Sequence, residues 1–391
     1  MKAGAALVLS ADPTEAGRRA GELARAPLGD SPASFGMLFA SAHFLESAER
    51  LLAAVTGQTG PLPLIGCVAE AVVGGSREVE SEPAVSLWLA AGLGPVQTFD
   101  MEFTRTASGG AYGGYRFKPG GPGVHLMICD PFTFPAEPLL AHLNDNIAGT
   151  YLMGGIASGG LGLRQSRLFL DDRVLSQGAV GAYLPHAQMH PLVSQGCRPV
   201  GDPFTVTAAE GDLVQELGGR AALTRLQEMA ASLTGRDRDL LAQGVLAGIV
   251  MNEYGAERRQ GDFLIRGILG AQSQTGAIAV GDEVEVGQTL QFHVRDAESA
   301  DKELERILEQ EAAALGGHRP AGALLFTCSG RGSRLFSEPD HDARLLAKLL
   351  GDIPVAGFFC GGELGPVGGR NYLHTFTASI ALFPAPAGVA Q

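Results

Sequence analysis

The sequence predicts an α/β (α+β) protein of repeated βαββ units, with mixed, mainly antiparallel sheets covered by helices, arranged in two similar halves. Three observations lead there. The chain has 391 residues, too many for one ordinary core, so two domains are expected. Hydrophobic residues make up 45% and charged residues 18%, and the 55 glycines and 22 prolines fall between short apolar runs, as tight turns do in a folded protein. The same succession of strand, amphipathic helix, glycine-laced strand and apolar strand recurs along the chain.

Taken in order, "MKAGAALVLSADP" carries one lysine and a short apolar run, without a signal-peptide cleavage pattern. Ala5 to Leu9 reads as a strand, and a cytoplasmic protein is expected. The first copy of the repeat is "SFGMLFASA", "LESAERLLAAV", "PLIGCVAEAVVG" and "AVSLWLA". The middle copy is "GVHLMICDP", "AEPLLAHLND", "YLMGGIASGGLG" and "GAVGAYL". The last and clearest is "GALLFTCSGRG", "DHDARLLAKLL", "PVAGFFCGGELG" and "FTASIALF". Set without gaps, the third segments align Gly66, Gly154 and Gly357, and again Gly74, Gly162 and Gly365; Pro63 matches Pro354, while Gly159 and Leu161 match Gly362 and Leu364. In "DARLLAKLL" Leu345, Leu346, Leu349 and Leu350 form one stripe opposite Arg344 and Lys348, and Asp340 or Asp342 is placed to cap that helix. Strands joined across the glycine turns are too close for a helical crossover and should be antiparallel.

Between the second and third copies the pattern breaks. Proline and glycine are dense in "SQGCRPVGDPFTVTAAEGDLVQELGG", which puts a boundary near Thr207 to Gly219 and expected domains at 1–215 and 216–391. A helix "RAALTRLQEMAASL" follows. Asp262 to Val294 then reads as two strands around polar turns. Next comes a helix, "SADKELERILEQEAAA", whose Glu303, Glu305, Glu309 and Glu311 mark an exposed acidic face.

Composition excludes several functions. A net charge of −13 repels phosphate backbones and anionic membranes. Arg18–Arg19 and Arg258–Arg259 are too small for a basic patch, so no nucleic-acid partner is expected. No apolar run approaches the ~20 residues of a membrane-spanning helix. Cys67, Cys129, Cys197, Cys328 and Cys360 are widely spaced without CxxC, which fits reduced, mostly buried thiols rather than disulfides or zinc. The nine histidines show no HxH or HExxH. No metal and no cofactor is expected.

The chain resembles the FIST family, a sensory domain with N-terminal and C-terminal halves. The resemblance rests on "SQGCRPVGDPFTVT", "FLIRGILGAQSQTGAIAVGDEVEVGQTLQFHVRD" and above all "GDIPVAGFFCGGELGPVGGRNYLHTFTASIALF", and extends from about Ala3 to Phe383. It implies a signal-transduction role with a small ligand, an amino acid being favoured. FIST domains are often fused to output modules; here only "PAPAGVAQ" follows Phe383, so a signal would pass to a separate protein.

The stretch "GFFCGGELGPVGGRN", Gly357 to Asn371, holds six glycines in fifteen residues around a few polar side chains. It has no P-loop lysine, does not open a helix as a dinucleotide fingerprint does, and lacks the GxSxG of a nucleophile elbow. A small-ligand pocket uses its residues most economically. Glycines 361 and 362 would bring backbone N–H groups close to a ligand. Glu363 would hold an ammonium and Arg331 a carboxylate, with Asn371 and His374 adding directed donors or acceptors and Cys360 lining the wall. Glu70 and Ser158 occupy the equivalent loops of the other copies. The expected function is therefore amino-acid-like ligand binding without covalent chemistry. The rivals are an interaction scaffold with no ligand, and an enzyme using Cys360 or Cys328, which a low thiol pKa would favour.

Overall fold

The structure is a computed structural model describing residues 1–106, 109–118, 123–253 and 261–385; Arg258, Arg259 and the tail beyond Ala385 lie outside the described residues. By contact the chain forms two compact units. The first comprises Met1–Val193, Leu304–Leu373 and the described residues from Thr377 onward; the second comprises Ser194–Glu303 and His374–Phe376. These units interleave along the sequence and are a different kind of division from sequential halves.

The first unit opens with β1 (Lys2–Leu9) and α1 (Pro13–Arg25). The first repeat runs β2 (Phe35–Ser41), α2 (Ala48–Thr59), β3 (Leu64–Ala69), the hairpin β4 (Val72–Gly74) and β5 (Arg77–Val79), then β6 (Ala84–Ala91). An antiparallel pair, β7 (Gln97–Thr106) and β8 (Gly109–Gly114), leads to the second repeat. That repeat is β9 (Val124–Cys129), α3 (Ala136–Asn146), β10 (Leu152–Ile156), the hairpin β11 (Leu168–Leu170) and β12 (Arg173–Leu175), and β13 (Ala179–Leu184), followed by β14 (His190–Gln195).

The second unit contains β15 (Cys197–Glu210), β16 (Leu213–Leu217), β17 (Arg220–Ala221), α4 (Ala222–Ser232), α5 (Gly235–Gln243), β18 (Leu246–Val250), β19 (Phe263–Gln272), β20 (Ala277–Val280) and β21 (Thr289–Arg295). After α6 (Ala297–Ala314) the third repeat completes the first unit. It runs β22 (Gly322–Cys328), α7 (His341–Leu350), β23 (Val355–Cys360), the hairpin β24 (Glu363–Val367) and β25 (Arg370–His374), and β26 (Thr377–Phe383).

The three repeats share one pairing scheme. The first strand of each lies parallel to the strand after its helix and antiparallel to its last strand. The hairpins, however, are exchanged in a ring. Hairpin β4–β5 adds to β23 of the third repeat, β11–β12 to β3 of the first, and β24–β25 to β10 of the second. The inner faces of the three sheets meet in a common core containing Phe39, Cys67, Ile128, Met153, Phe326, Phe358 and Cys360. Phe39 stacks on Phe358 at 5.0 Å. Helices α1 and α2 cover the outer face of the first sheet, α3 that of the second, and α7 with Leu304 and Leu308 of α6 that of the third.

Gly66, Gly154 and Gly357 occupy equivalent places, opposite Leu38, Met127 and Leu325. At each, an added Cβ would drive into the backbone carbonyl oxygen of that facing residue. A ladder carbonyl cannot turn away without losing its own hydrogen bond, so Gly357→Ala should destabilise the unit by about 3 kcal/mol, at the upper end of overpacking costs. Gly75 instead faces open space with φ of 59°, and Gly75→Ala should cost only about 1 kcal/mol. Urea unfolding of the two variants checks the contrast.

In the second unit β15, β21, β18, β19, β20 and β16 pair in that order, and β15 also pairs β16, closing an antiparallel ring. The stretch Thr207–Gly219 is the β15–β16 hairpin, because Val206, Val214 and Leu217 are buried. Asp262 to Val294 holds three strands where two were expected, since Ile278 and Val280 of the short β20 are core residues. Glu303 corrects the acidic-face reading: it is buried, and its carboxylate accepts the Gln195 backbone N–H at 2.6 Å. Among the described residues no helix is long and apolar enough to cross a membrane.

Candidate functional site

The glycine stretch crosses from one sheet to another. Strand β23 ends at Cys360, the chain passes Gly361 and Gly362, and β24 then joins the second repeat's sheet. The crossing is stitched by Gly361 N–H donating to the Ile156 carbonyl (2.9 Å) and Ile156 N–H to the Gly362 carbonyl (2.8 Å). Neither Gly361 nor Gly362 adopts a left-handed φ, whereas Gly368 and Gly369 do, at 58° and 84°. Positive φ at both central residues is the requirement of a type I′ two-residue hairpin turn. Glycine thus serves the hairpin turn at 368 and 369, whereas a Cβ at 361 would meet only ordinary contacts with Ile156; the close passage is at Gly155, where a Cβ would run into Cys360 Sγ.

The crossings of all three repeats meet here. Ser158 Oγ accepts from Glu70 N–H at 2.9 Å and donates to the Phe359 carbonyl. Phe359 N–H in turn donates to the Ala71 carbonyl at 3.0 Å. Glu70 and Ser158, equivalents of the glycine loop in sequence, are its neighbours in space.

Beneath the junction lies a buried polar network. Arg331 is 0% exposed. Its Nε and Nη2 donate to Asp342 Oδ2 and Oδ1 at 2.8 and 2.7 Å, while Thr327 Oγ1 donates to Asp342 Oδ2 at 2.8 Å. Burial opposes the charge of Asp342, but the guanidinium outweighs it and holds that carboxyl well below the usual carboxylate range. The carboxylate clamp expected of Arg331 is therefore largely occupied by Asp342, an acid that looked like a helix cap. The first turn of α7 is served instead by Glu78 of the first repeat's hairpin. Its Oε1 accepts Ala343 N–H at 3.0 Å, while Asp340 Oδ1 accepts Glu78 N–H at 2.7 Å.

Glu363 is also 0% exposed. Oε2 accepts Thr377 Oγ1–H at 2.8 Å and Thr377 N–H at 3.3 Å, with the Cys328 thiol as a further donor to this carboxyl. Desolvation pushes both Glu363 and Glu78 up to about 8, so at neutral pH both hold their protons most of the time. Arg331 Nη1, Glu363 Oε1 and Glu78 Oε2 are fully buried and meet no N or O partner. Cys360, register partner of Cys328, lies close enough for the Glu363 charge to act on it. Burial pushes its thiol and that of Cys67 well up, which makes both poor nucleophiles.

The structure thus brings Arg331, Cys360 and Glu363 together, beside Gly361 and Gly362. Asn371 is placed elsewhere. Its amide donates to the Thr150 carbonyl (2.7 Å) and accepts from Leu152 N–H (3.0 Å), while its backbone N–H donates to Asn144 Oδ1 (2.8 Å). It stitches β25 to the end of α3 and the start of β10. His374 is buried and belongs to the second unit. Sequence reasoning missed Glu78 and Thr377, whose roles depend on the exchanged hairpin and on register. Among the described residues no three His, Cys, Asp or Glu side chains gather as metal ligands.

Comparison with known proteins matches residues 34–220 to the FIST N domain and residues 222–366 to the FIST C domain. The uncharacterized protein Rv0628c of Mycobacterium tuberculosis (strain H37Rv) is 48% identical over 383 residues, covering 98% of this chain and 100% of its own length. The uncharacterized protein Mb0898c of Mycobacterium bovis is 47% identical, covering 98% of this chain and 99% of its own.

Proposed function

The chain belongs to the FIST family, and on that premise we propose that it is a cytoplasmic sensory protein. It binds a small amino-acid-like zwitterion without covalent chemistry and signals through a separate protein. The observation that carries the ligand reading is the set of unpartnered buried atoms around the sheet crossing: Arg331 Nη1, Glu363 Oε1 and Glu78 Oε2. Leaving such atoms unmatched costs about 1–3 kcal/mol each, a cost that a small polar guest removes. The remaining guanidinium N–H groups suit a carboxylate, and an ammonium suits Glu363, whose ionisation it favours. The five free cysteines fit the cytoplasmic assignment.

Entry requires the loop after β22 to move. That loop is fastened by Arg334 to Glu70 and by Ser333 to Glu80, whose Oε1 accepts Ser333 N–H at 2.9 Å; both fastenings are exposed. Exposed contacts of this kind hold by only about 0–1 kcal/mol, so Ser333 and Arg334 form the part of the loop that opens most readily, while Arg331 stays paired with Asp342. A guest that replaces the network's missing partners would favour one position of the loop and so alter the surface shown to a partner.

Thermal shift across the twenty amino acids, on wild type and Glu363→Gln, tests this. Binding to the native state adds RT ln(1 + [L]/Kd), about 2.7 kcal/mol at a hundredfold excess over Kd. A ligand-specific rise that disappears in Glu363→Gln is the expected result. A flat panel in both proteins would sink the amino-acid assignment.

A further inference from the structure

We propose a second ligand site, for a small planar aromatic carboxylate, in a cavity of about 320 Å³ lined by Gln97, Tyr115, Arg116, Lys118, His125 and Tyr183. The site is separate from the buried Arg331–Glu363 network and shares no residue with it.

The sheet builds its floor. His125, Tyr183 and Gln97 are register partners across β9, β13 and β7 and therefore lie side by side on one face. His125 stacks on Tyr183 with ring centroids 4.5 Å apart and planes at 19°. In the next row Gly181 lacks the side chain that would collide with the Phe99 ring, so Phe99 lies over the strand. Tyr115 then stacks on Phe99 at 3.9 Å and 11°, and its hydroxyl meets His125 Nε2 at 3.2 Å. The result is a wall of flat, mutually braced rings at the side of an open hollow. Such a wall receives another flat ring by offset stacking or edge contact. A volume of about 300 Å³ is at the small end of ligand sites, enough for one ring with a substituent.

The charges at the mouth select the substituent. Arg116 and Lys118 are both exposed, and neither has an acidic partner among the described residues. Among the described residues lining the cavity none is a carboxylate. Burial pushes His125 down to about 4 and raises Tyr115, so neither of these two rings carries charge at neutral pH. In a chain of net charge −13, this is a local positive focus over an uncharged aromatic floor, which draws anions by field and holds them by pairing. The planar guanidinium of Arg116 matches a carboxylate in two parallel hydrogen bonds, and Lys118 adds a second positive charge.

Isothermal titration calorimetry with 4-hydroxybenzoate tests the assignment on the full chain, against its neutral isostere 4-hydroxybenzamide and against the double variant Arg116→Ala, Lys118→Ala. Both substituted residues are exposed, so folding should be unaffected, which circular dichroism verifies. We expect 4-hydroxybenzoate to bind, with both the amide and the double variant weaker by about tenfold or more, a difference of about 1.4 kcal/mol. Glu363→Gln should leave this binding unchanged, which separates the site from the interior network. No binding of 4-hydroxybenzoate at millimolar concentration would overturn the proposal. So would equal binding of the amide, or undiminished affinity in the double variant.

Discussion

Asp342→Ala should lower the stability of the first unit by about 3–5 kcal/mol, the cost of leaving one member of a buried ion pair uncompensated. The Arg331 guanidinium is 0% exposed and Asp342 is 1% exposed. Removing the carboxylate therefore strands a cation whose Nε and Nη2 lose their acceptors together. Thr327 Oγ1 loses its partner in the same step. The remaining carboxyls, Glu78 and Glu363, are held near neutrality by desolvation. One of them could ionise to answer the stranded charge, which sets the lower end of the range. Urea unfolding measures the loss, and a drop below about 1 kcal/mol would show that water already reaches the pair. The companion variant Arg331→Met, Asp342→Leu replaces both charges by apolar groups of similar length and should recover most of the loss, as such replacements often do.

How much of this was legible in the sequence depends on the range of the interaction. The repeat could be found because its glycines answer a local demand. Gly66, Gly154 and Gly357 each face a carbonyl of the parallel neighbour, and the same steric rule left the same residue three times. The ring exchange of hairpins could not be found. β4, β11 and their partner strands are three residues each, and nothing in so short a segment names the sheet it joins. The candidate site divides along the same line. Arg331 and Glu363 stood out as charges in apolar, glycine-rich surroundings, and both are fully buried. Their partners did not stand out. Asp342 sits where a helix cap is expected, so a local rule hid its tertiary role, while Glu78 caps α7 from another repeat. Asn371 resembled a ligand contact because an exposed asparagine and a stitching asparagine have the same sequence signature. Glu303 followed its helix's acidic spacing, yet the fold turns it onto the Gln195 backbone.

Stability should fall as pH rises from about 4.5 to about 8, and Glu363→Gln should remove about one proton's worth of that fall. Burial raises the Glu363 carboxyl from 4.5 in its reference state to about 8 in the folded chain, and it does the same to Glu78. Below pH 4.5 both states hold the proton and the groups contribute no pH dependence. Between 4.5 and 8 the unfolded chain has released protons that the native chain retains. Unfolding is then favoured by about 1.36 kcal/mol per pH unit for each such group. Above 8 the native carboxyl ionises too and the loss levels off, at no more than about 5 kcal/mol for Glu363. The two carboxyls share the field of Arg331, so their losses do not simply add. Glutamine cannot ionise, and its carbonyl can still accept from Thr377, so the native contact survives while the titration disappears. Urea midpoints for wild type and Glu363→Gln across this range should therefore diverge steadily as pH rises, with the variant gaining on wild type by about tenfold in the folding constant per pH unit. Parallel profiles would mean that Glu363 is already ionised in the native chain. The network would then hold a charge that Arg331, already paired with Asp342, balances only in part, and an opposing cation such as the ammonium of an amino acid would complete the balance.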